Sequence, residues 1–201
     1  MYKRTIVLSG TLAGILLLAA CGGDGSDTTA TSTPGAEASS PSSATESADF
    51  NDADITFVKG MKPHHAQAIE MSDLVLGSDP PQQVAALAER IKAAQTPEIA
   101  ELDEMQEHFG GEHSGGHGGD DAVMHGGMMN EEDLQALDDA TGPDASRLFL
   151  EAMIEHHRGA IEAAETELAD GEYAPALDLA ERIKADQVAE IAEIEQLLTQ
   201  V

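Results

Sequence analysis

The sequence predicts an all-α domain, a four-helix bundle assembled from two similar helical hairpins, and three observations carry that expectation. No stretch alternates apolar and polar residues as a half-buried strand would. Apolar residues recur instead at three- and four-residue steps, most plainly Leu177, Ala180, Ile183, Ile191, Ile194 and Leu198, with Gln187 the polar exception on that stripe. Finally, one phrase occurs twice. Phe57, Met61, His64-His65, Ala68, Ile69 and Glu70 return as Phe149, Met153, His156-His157, Ala160, Ile161 and Glu162, an offset of 92 residues (156 − 64). The same offset carries Leu87-Ala-Glu-Arg-Ile-Lys-Ala93 onto Leu179-Ala-Glu-Arg-Ile-Lys-Ala185. Two copies of a helix pair that cannot bury its apolar face alone are expected to pack on one another.

The elements follow in order. Residues 1–20 read as a signal peptide, with Lys3-Arg4 as basic region and an apolar stretch from Ile6 to Leu18 that is short for a membrane span. Leu18-Ala19-Ala20-Cys21 looks like a bacterial lipobox, which implies cleavage before Cys21, its lipidation, and a location on the extracytoplasmic face of the cell membrane. Residues 21–49 are dominated by Gly, Ser, Thr, Ala and Pro and read as a disordered tether, reaching roughly 30 Å. The folded domain is expected over 50–201, with a first repeat at 51–109, a Met/His-rich linker at 110–130 and a second repeat at 143–201.

Within the domain, Asn51 is a candidate N-cap with Asp52 and Asp54 in the first turn, and Gly77 ends the first helix. Asp79-Pro80-Pro81 opens the second, which runs to Gly110-Gly111. A short helix spans about 131–140, Thr141-Gly142-Pro143 opens the third long helix, Gly171 closes it, and the fourth starts near Ala174. Pro63 and Pro97 stand in the first copy where the second has Glu155 and Ala189, and each is expected to kink its helix.

Composition excludes several functions. Cys21 is the sole cysteine, so the domain has neither an internal disulfide nor a thiolate metal site. Lys3 and Arg4 leave with the signal, so 8 basic residues face 38 acidic ones, a balance of −30. That charge repels nucleic acid and gives no help at anionic lipid, while it attracts cations. The membrane is reached through the lipid anchor alone.

The histidines carry the functional information. His156 lies on the apolar stripe of the third helix and His157 one step round, with Met153 a turn below; Met61 stands likewise to His64 and His65. Thioether and imidazole on one face make a soft-metal half-site that a second helix must complete. The competing reading is a structural one, in which these histidines bond Gln95, Glu98, Gln187 or Glu190 inside the bundle. Those four residues serve the metal reading equally, as groups that orient the ligands. Between the copies stand Met105, His108, His113, His117, Met124, His125, Met128 and Met129. Methionine and histidine without cysteine form the donor set for Cu(I), and histidine suits Cu(II); zinc is also served by histidine and carboxylate. Some of these methionines could instead cap the end of the bundle.

At Met128-Met129 through Leu134 and Leu137, then Phe149-Leu150, Met153-Ile154, His156-His157 and Gly159-Ala160-Ile161, and finally Leu179-Ala180, Ile183, Gln187 and Glu190-Ile191, the chain resembles the DUF305 family. The resemblance covers nearly all of 128–198, with a weaker copy over 51–105. It implies a ferritin-like helical arrangement, an extracytoplasmic location and, as in some members, copper binding. Members often carry methionine where this chain has Ala163, although Met71 keeps it in the first copy.

The expected function is therefore a lipid-anchored, extracytoplasmic copper-binding protein for sequestration or transfer. Its helix ligands would be His64, His65, His156, His157, Met61, Met71 and Met153, and the linker would act as a capture arm. Two rivals remain at this level. One is a cell-envelope binding or scaffold module with structural histidines, the hairpins packing together or with a second copy in a homodimer. The other is a ferritin-like di-metal oxidase, which needs Glu-x-x-His on two helices. Met61, Lys62, Met153 and Ile154 occupy the positions that those glutamates would fill.

Overall fold

The computed structural model describes residues 50–112 and 126–201. Cys21, the signal peptide, the tether and the linker residues His113, His117, Met124 and His125 lie outside the described residues.

Five helices form the fold: α1 (Asp52–Gly77), α2 (Gln82–Glu112), α3 (Glu131–Asp139), α4 (Gly142–Asp170) and α5 (Ala174–Leu198). Two of them, α1 and α3, begin at an asparagine whose side chain satisfies free N–H groups of the first turn, while α4 and α5 begin with proline in the first turn and no side-chain cap. Asn51 Oδ1 accepts from the Ala53 and Asp54 amides at 2.7 and 3.2 Å, and Asp54 returns the bond to the Asn51 amide at 2.6 Å, a closed capping box. Asn130 caps α3 through the Asp133 amide at 2.9 Å. The start of α2 differs from expectation. Asp79 takes a left-handed φ of 59° and the helix begins after both prolines, with the Pro81 carbonyl accepting from Val84 and Ala85.

α1 packs along α2 and α4 along α5, and α1 along α4 joins the two hairpins, with α3 seated on α1 and α4. Two apolar clusters fill the bundle. One holds Phe57, Val58 and Met61 of α1 with Leu102 and Met105 of α2, Ala160 and Ala164 of α4, and Leu179 and Ile183 of α5. The other holds Met71 and Val75 of α1, Leu87 and Ile91 of α2, Leu137 of α3, Phe149 and Met153 of α4, and Ile194 and Leu197 of α5. α1 thus runs from the first cluster to the second, α4 in the opposite sense, and each hairpin is antiparallel. Met105 and Met71 are core residues, one in each cluster.

One expectation about faces changes. α1 and α2 continue through Pro63 and Pro97, and both prolines are exposed, so the carbonyls of Lys59 and Ala93 that lose their acceptance reach water. On α5 the buried stripe is Ala176, Leu179, Ala180, Ile183, Gln187, Ile194 and Leu197, whereas Leu177, Ile191 and Leu198 are half-buried. The face is rotated because α5 lies chiefly against α4 rather than centrally over the bundle axis.

At the Asn51 end the two hairpins are clasped by carboxyl groups. Asp54 is fully buried and accepts from the amides of Glu172 and Tyr173 at 3.1 and 2.9 Å as well as from Asn51. Burial pushes its carboxyl up, but these amides together with Glu167 outweigh burial and hold it low. Glu167, 1% exposed, has no hydrogen-bond donor for either oxygen, and burial followed by the Asp54 carboxyl raises it to about 8. It is therefore protonated at neutral pH and shares its proton with Asp54. A carboxyl raised from 4.5 to about 8 adds stability in full below pH 4.5, which fades as the pH climbs and is gone above about 8. Urea unfolding between pH 5 and 9 should show stability falling by on the order of a few kcal/mol. Glu167→Gln should flatten that slope, and an unchanged slope would refute the shared proton.

Candidate metal centre

The two copies of the repeated phrase put their histidines at mid-bundle, between the apolar clusters. His64, His65, His156 and His157 are all 1% exposed or less. His64 of α1 and His156 of α4 stack across the interface between hairpins, with ring centroids 3.7 Å apart and planes inclined by 42°. His157 lies next to this pair, its ring 6.4 Å from that of His156.

Each hairpin supplies one imidazole–carboxylate bond. His65 Nε2 donates to Glu98 Oε2 at 2.8 Å, and His157 Nε2 donates to Glu190 Oε2 at 2.7 Å. The two bonds are images of each other under the 92-residue offset (98 + 92 = 190). Glu98 is also approached by Arg182 at 3.8 Å. Gln95 and Gln187, equally related by the offset, are 3% exposed. Neither oxygen has a hydrogen-bond partner, and the Gln95 nitrogen has none either. The expected bonds from these glutamines to histidine are thus not made, while those from the glutamates are.

His64 and His156 are the electrostatically exceptional pair. Burial, then the neighbouring His65, pulls His64 down to about 4, and the weaker opposing influence is its bond to the Gly126 carbonyl. Burial, then His64, His157 and His65, holds His156 well below the ordinary imidazole range, with the His64 carbonyl opposing weakly. Both rings are neutral at pH 7. His64 Nε2 donates to the Gly126 carbonyl at 3.3 Å, whereas neither nitrogen of His156 has a hydrogen-bond partner.

That carbonyl comes from a strap, residues 126–130, which lies across α4 over the histidines. Gly159 is the point of contact: a Cβ there would stand 1.8 Å from the Gly126 oxygen. Gly127, at φ 77°, crosses the Glu155 carbonyl as closely, a Cβ meeting it at 2.0 Å. Gln67 holds the far end with two bonds to Met129, amide to Oε1 and Nε2 to carbonyl, both 2.8 Å. The sequence offered little signal for this strap beyond Gly126-Gly127 and Gly159, because the contact joins residues far apart in the chain.

The methionines divide. Met61 and Met153 are fully buried and border the histidine layer from opposite clusters. Met71 sits two turns beyond His64, among Val75, Leu87 and Phe149. Met128 and Met129 line a surface cleft of about 280 Å³ with Leu148, Glu151 and Glu155, and Met129 also packs on the second apolar cluster. His108 is exposed and stacks on Tyr173 at 5.3 Å, far from the other histidines along the bundle. Among the described residues, no three His, Cys, Asp or Glu side chains converge as they stand in a way that could hold a metal ion.

Residues 54–198 match the family described as "Domain of unknown function (DUF305)". The chain belongs to the DUF305 family. Three solved structures show the same fold. A DUF305 protein from Streptomyces coelicolor is 26% identical over 77% of this chain and 95% of its own, with a TM-score of 0.68. A DUF305 fragment from Deinococcus radiodurans is 27% identical over 75% and 98%, with a TM-score of 0.65. CopM in its Cu(I)-bound form is 26% identical over 73% and 96%, with a TM-score of 0.60. No curated protein matches the sequence.

The geometry of this DUF305 chain separates histidines that hold the fold from one that does not. His156→Leu removes a buried, unpartnered ring and should change stability by less than about 1 kcal/mol in the metal-free protein. His65→Leu strands the Glu98 carboxylate and should cost about 3 kcal/mol. Urea denaturation of both variants checks this, and equal losses would contradict the assignment.

Proposed function

We propose that this protein binds copper on the outer side of the cytoplasmic membrane, for sequestration or transfer, with the helix histidines as its principal site. The observation that carries the reading is His156, a neutral imidazole buried mid-bundle with both nitrogens unpartnered, stacked on His64 and bordered by the Met61 and Met153 layers. A buried polar group without a partner is costly and calls for an explanation. Neutral imidazoles near buried thioethers suit Cu(I) in particular. CopM, of the same fold, is known in Cu(I)-, Cu(II)- and silver-bound forms, which supports copper as the ion here. Zinc remains the competitor by donor type.

The rings stack rather than converge, so binding requires them to turn. His156 gives up only a weak approach to the His64 carbonyl in doing so, and His64 only a 3.3 Å contact. Gln95 and Gln187, with unmet hydrogen-bonding capacity, would steady the rearranged rings. Met128 and Met129, and outside the described residues His113, His117, Met124 and His125, would provide a first point of capture, with His108 at the other end of the linker. Among the described residues no helix is long and apolar enough to cross a membrane. Attachment would then rest on the lipid at Cys21 and the tether 21–49.

A structural role is favoured for His65 and His157 by their bonds to Glu98 and Glu190. Copper titration of the wild type beside a variant with all four helix histidines replaced by leucine separates the readings. The copper reading expects tighter than micromolar binding, at least tenfold weakened in the variant. Micromolar or weaker binding by the wild type, for both oxidation states, would sink it.

A further inference from the structure

Gln67 and Gly159 hold the same place in the two copies of the repeat (67 + 92 = 159), each three residues beyond a histidine of the central stack. The strap joins these two positions. Its near end lies on Gly159 of α4, where a Cβ would stand 1.8 Å from the Gly126 oxygen, and its far end is bonded twice at 2.8 Å to Gln67 of α1. It therefore crosses the seam between α1 and α4 in which His64 and His156 stack. It meets both histidines. The Gly126 oxygen accepts from His64 Nε2 at 3.3 Å, and Gly127 passes so near His156 that a Cβ there would come within 2.9 Å of its Cα.

The two ends are held unequally. Gln67 grips Met129 with two short bonds, and Met129 also packs on the second apolar cluster. Gly126 is held by the bond to His64, which is longer than most N–H···O bonds. With the strap in place, His64 and His156 are buried and, among the described residues, no three His, Cys, Asp or Glu side chains converge to hold a metal ion. Turning His64 toward an ion takes the donor away from the Gly126 carbonyl. A closed strap and a loaded site are thus alternatives.

We infer that residues 126–130 are a latch over the histidine seam, hinged at the Gln67–Met129 bonds, shut by His64 while the layer is empty, and released at the Gly126 end when a soft monovalent cation draws His64 away. The latch rests on the copper reading for its ion and for the turning of the rings. Gly126 and Gly127 suit a moving end, since neither has a side chain to drag across α4 and Gly127 tolerates its φ of 77°. Because ion and strap compete for one ring, the closed strap lowers the apparent affinity, and unseating Gly126 should raise it. A strap that only packs the layer makes the opposite demand: unseating it would loosen the rings and weaken the site.

Nitrogen-15 relaxation of the Gly126 and Gly127 amides reads the latch in the wild type, with silver(I) as a diamagnetic stand-in for Cu(I). Without metal both amides should be as ordered as the helices, with order parameters of about 0.85, and saturating silver should bring them below about 0.6. Gly159→Ala suits α4 as a helix but forces Gly126 off its seat. That variant should show the loosened strap without metal and bind silver about two- to tenfold more tightly in calorimetric titration. An ordered strap in the silver-loaded wild type, or silver held no more tightly by Gly159→Ala, overturns the latch, while silver binding itself leaves the copper reading standing. The wild-type measurement decides alone should the variant not fold. If neither silver nor Cu(I) binds the wild type, latch and copper reading fall together.

Discussion

Two buried imidazole–carboxylate bonds, His65 to Glu98 and His157 to Glu190, set the register on which the bundle depends. Apolar contacts alone tolerate sliding of one helix along another, since leucine replaces leucine at the next turn. A charge-bearing group does not. Moving α2 by one turn against α1, so that Glu98 takes the level of Leu102, would put it into an apolar layer and leave an ion unpaired, at a cost of several kcal/mol. The pairs therefore act within each hairpin, and they bring the other polar residues of the layer to one level. Everything distinctive at mid-bundle, including the His64–His156 stack and the two unsatisfied glutamines, follows from that alignment.

The repeat makes the domain nearly symmetric, and its departures from symmetry are where the chemistry differs. Asp54 and Glu167 clasp one end of the bundle; their equivalents under the offset are Ser146 and Val75, which cannot share a proton. The strap breaks symmetry a second time, giving His64 an acceptor and His156 none. Duplication built the scaffold, and single substitutions and one chain crossing made its halves unequal. The methionines show the same drift, with Met71 packed in the core and Ala163 at the matching position.

How much of this was legible in the sequence depended on whether a signal was local. Asn51, Gly77, Thr141 and Gly171 mark helix ends through chemistry confined to one turn, and the helices begin or end there within a residue or so. The burial of the paired histidines was readable from their place on apolar stripes, and the glutamates that receive them from the repeat. What could not be read required knowing which surfaces meet. The α5 stripe was displaced because the stronger neighbour, α4, sets which side is inward. Glu167 looked like one acid among many on a solvated face, and only its burial, beside Asp54 113 residues away (167 − 54), gives it an abnormal proton. Gly159 gave no local hint that a backbone crosses it.

The junction at Asn51 has a mechanical consequence. Asn51 Nδ2 donates to the Asp170 carbonyl at 2.8 Å, Asp54 holds the amides of Glu172 and Tyr173, and Phe50 packs among Phe109, Tyr173 and His108. A pull arriving along the chain before Phe50 thus reaches the end of α4 and the start of α5 at the same moment as α1. The load is shared across both hairpins, and these bonds must yield together rather than one at a time. The domain would resist peeling from this end, and the histidine layer, several turns inward, would stay aligned under tension.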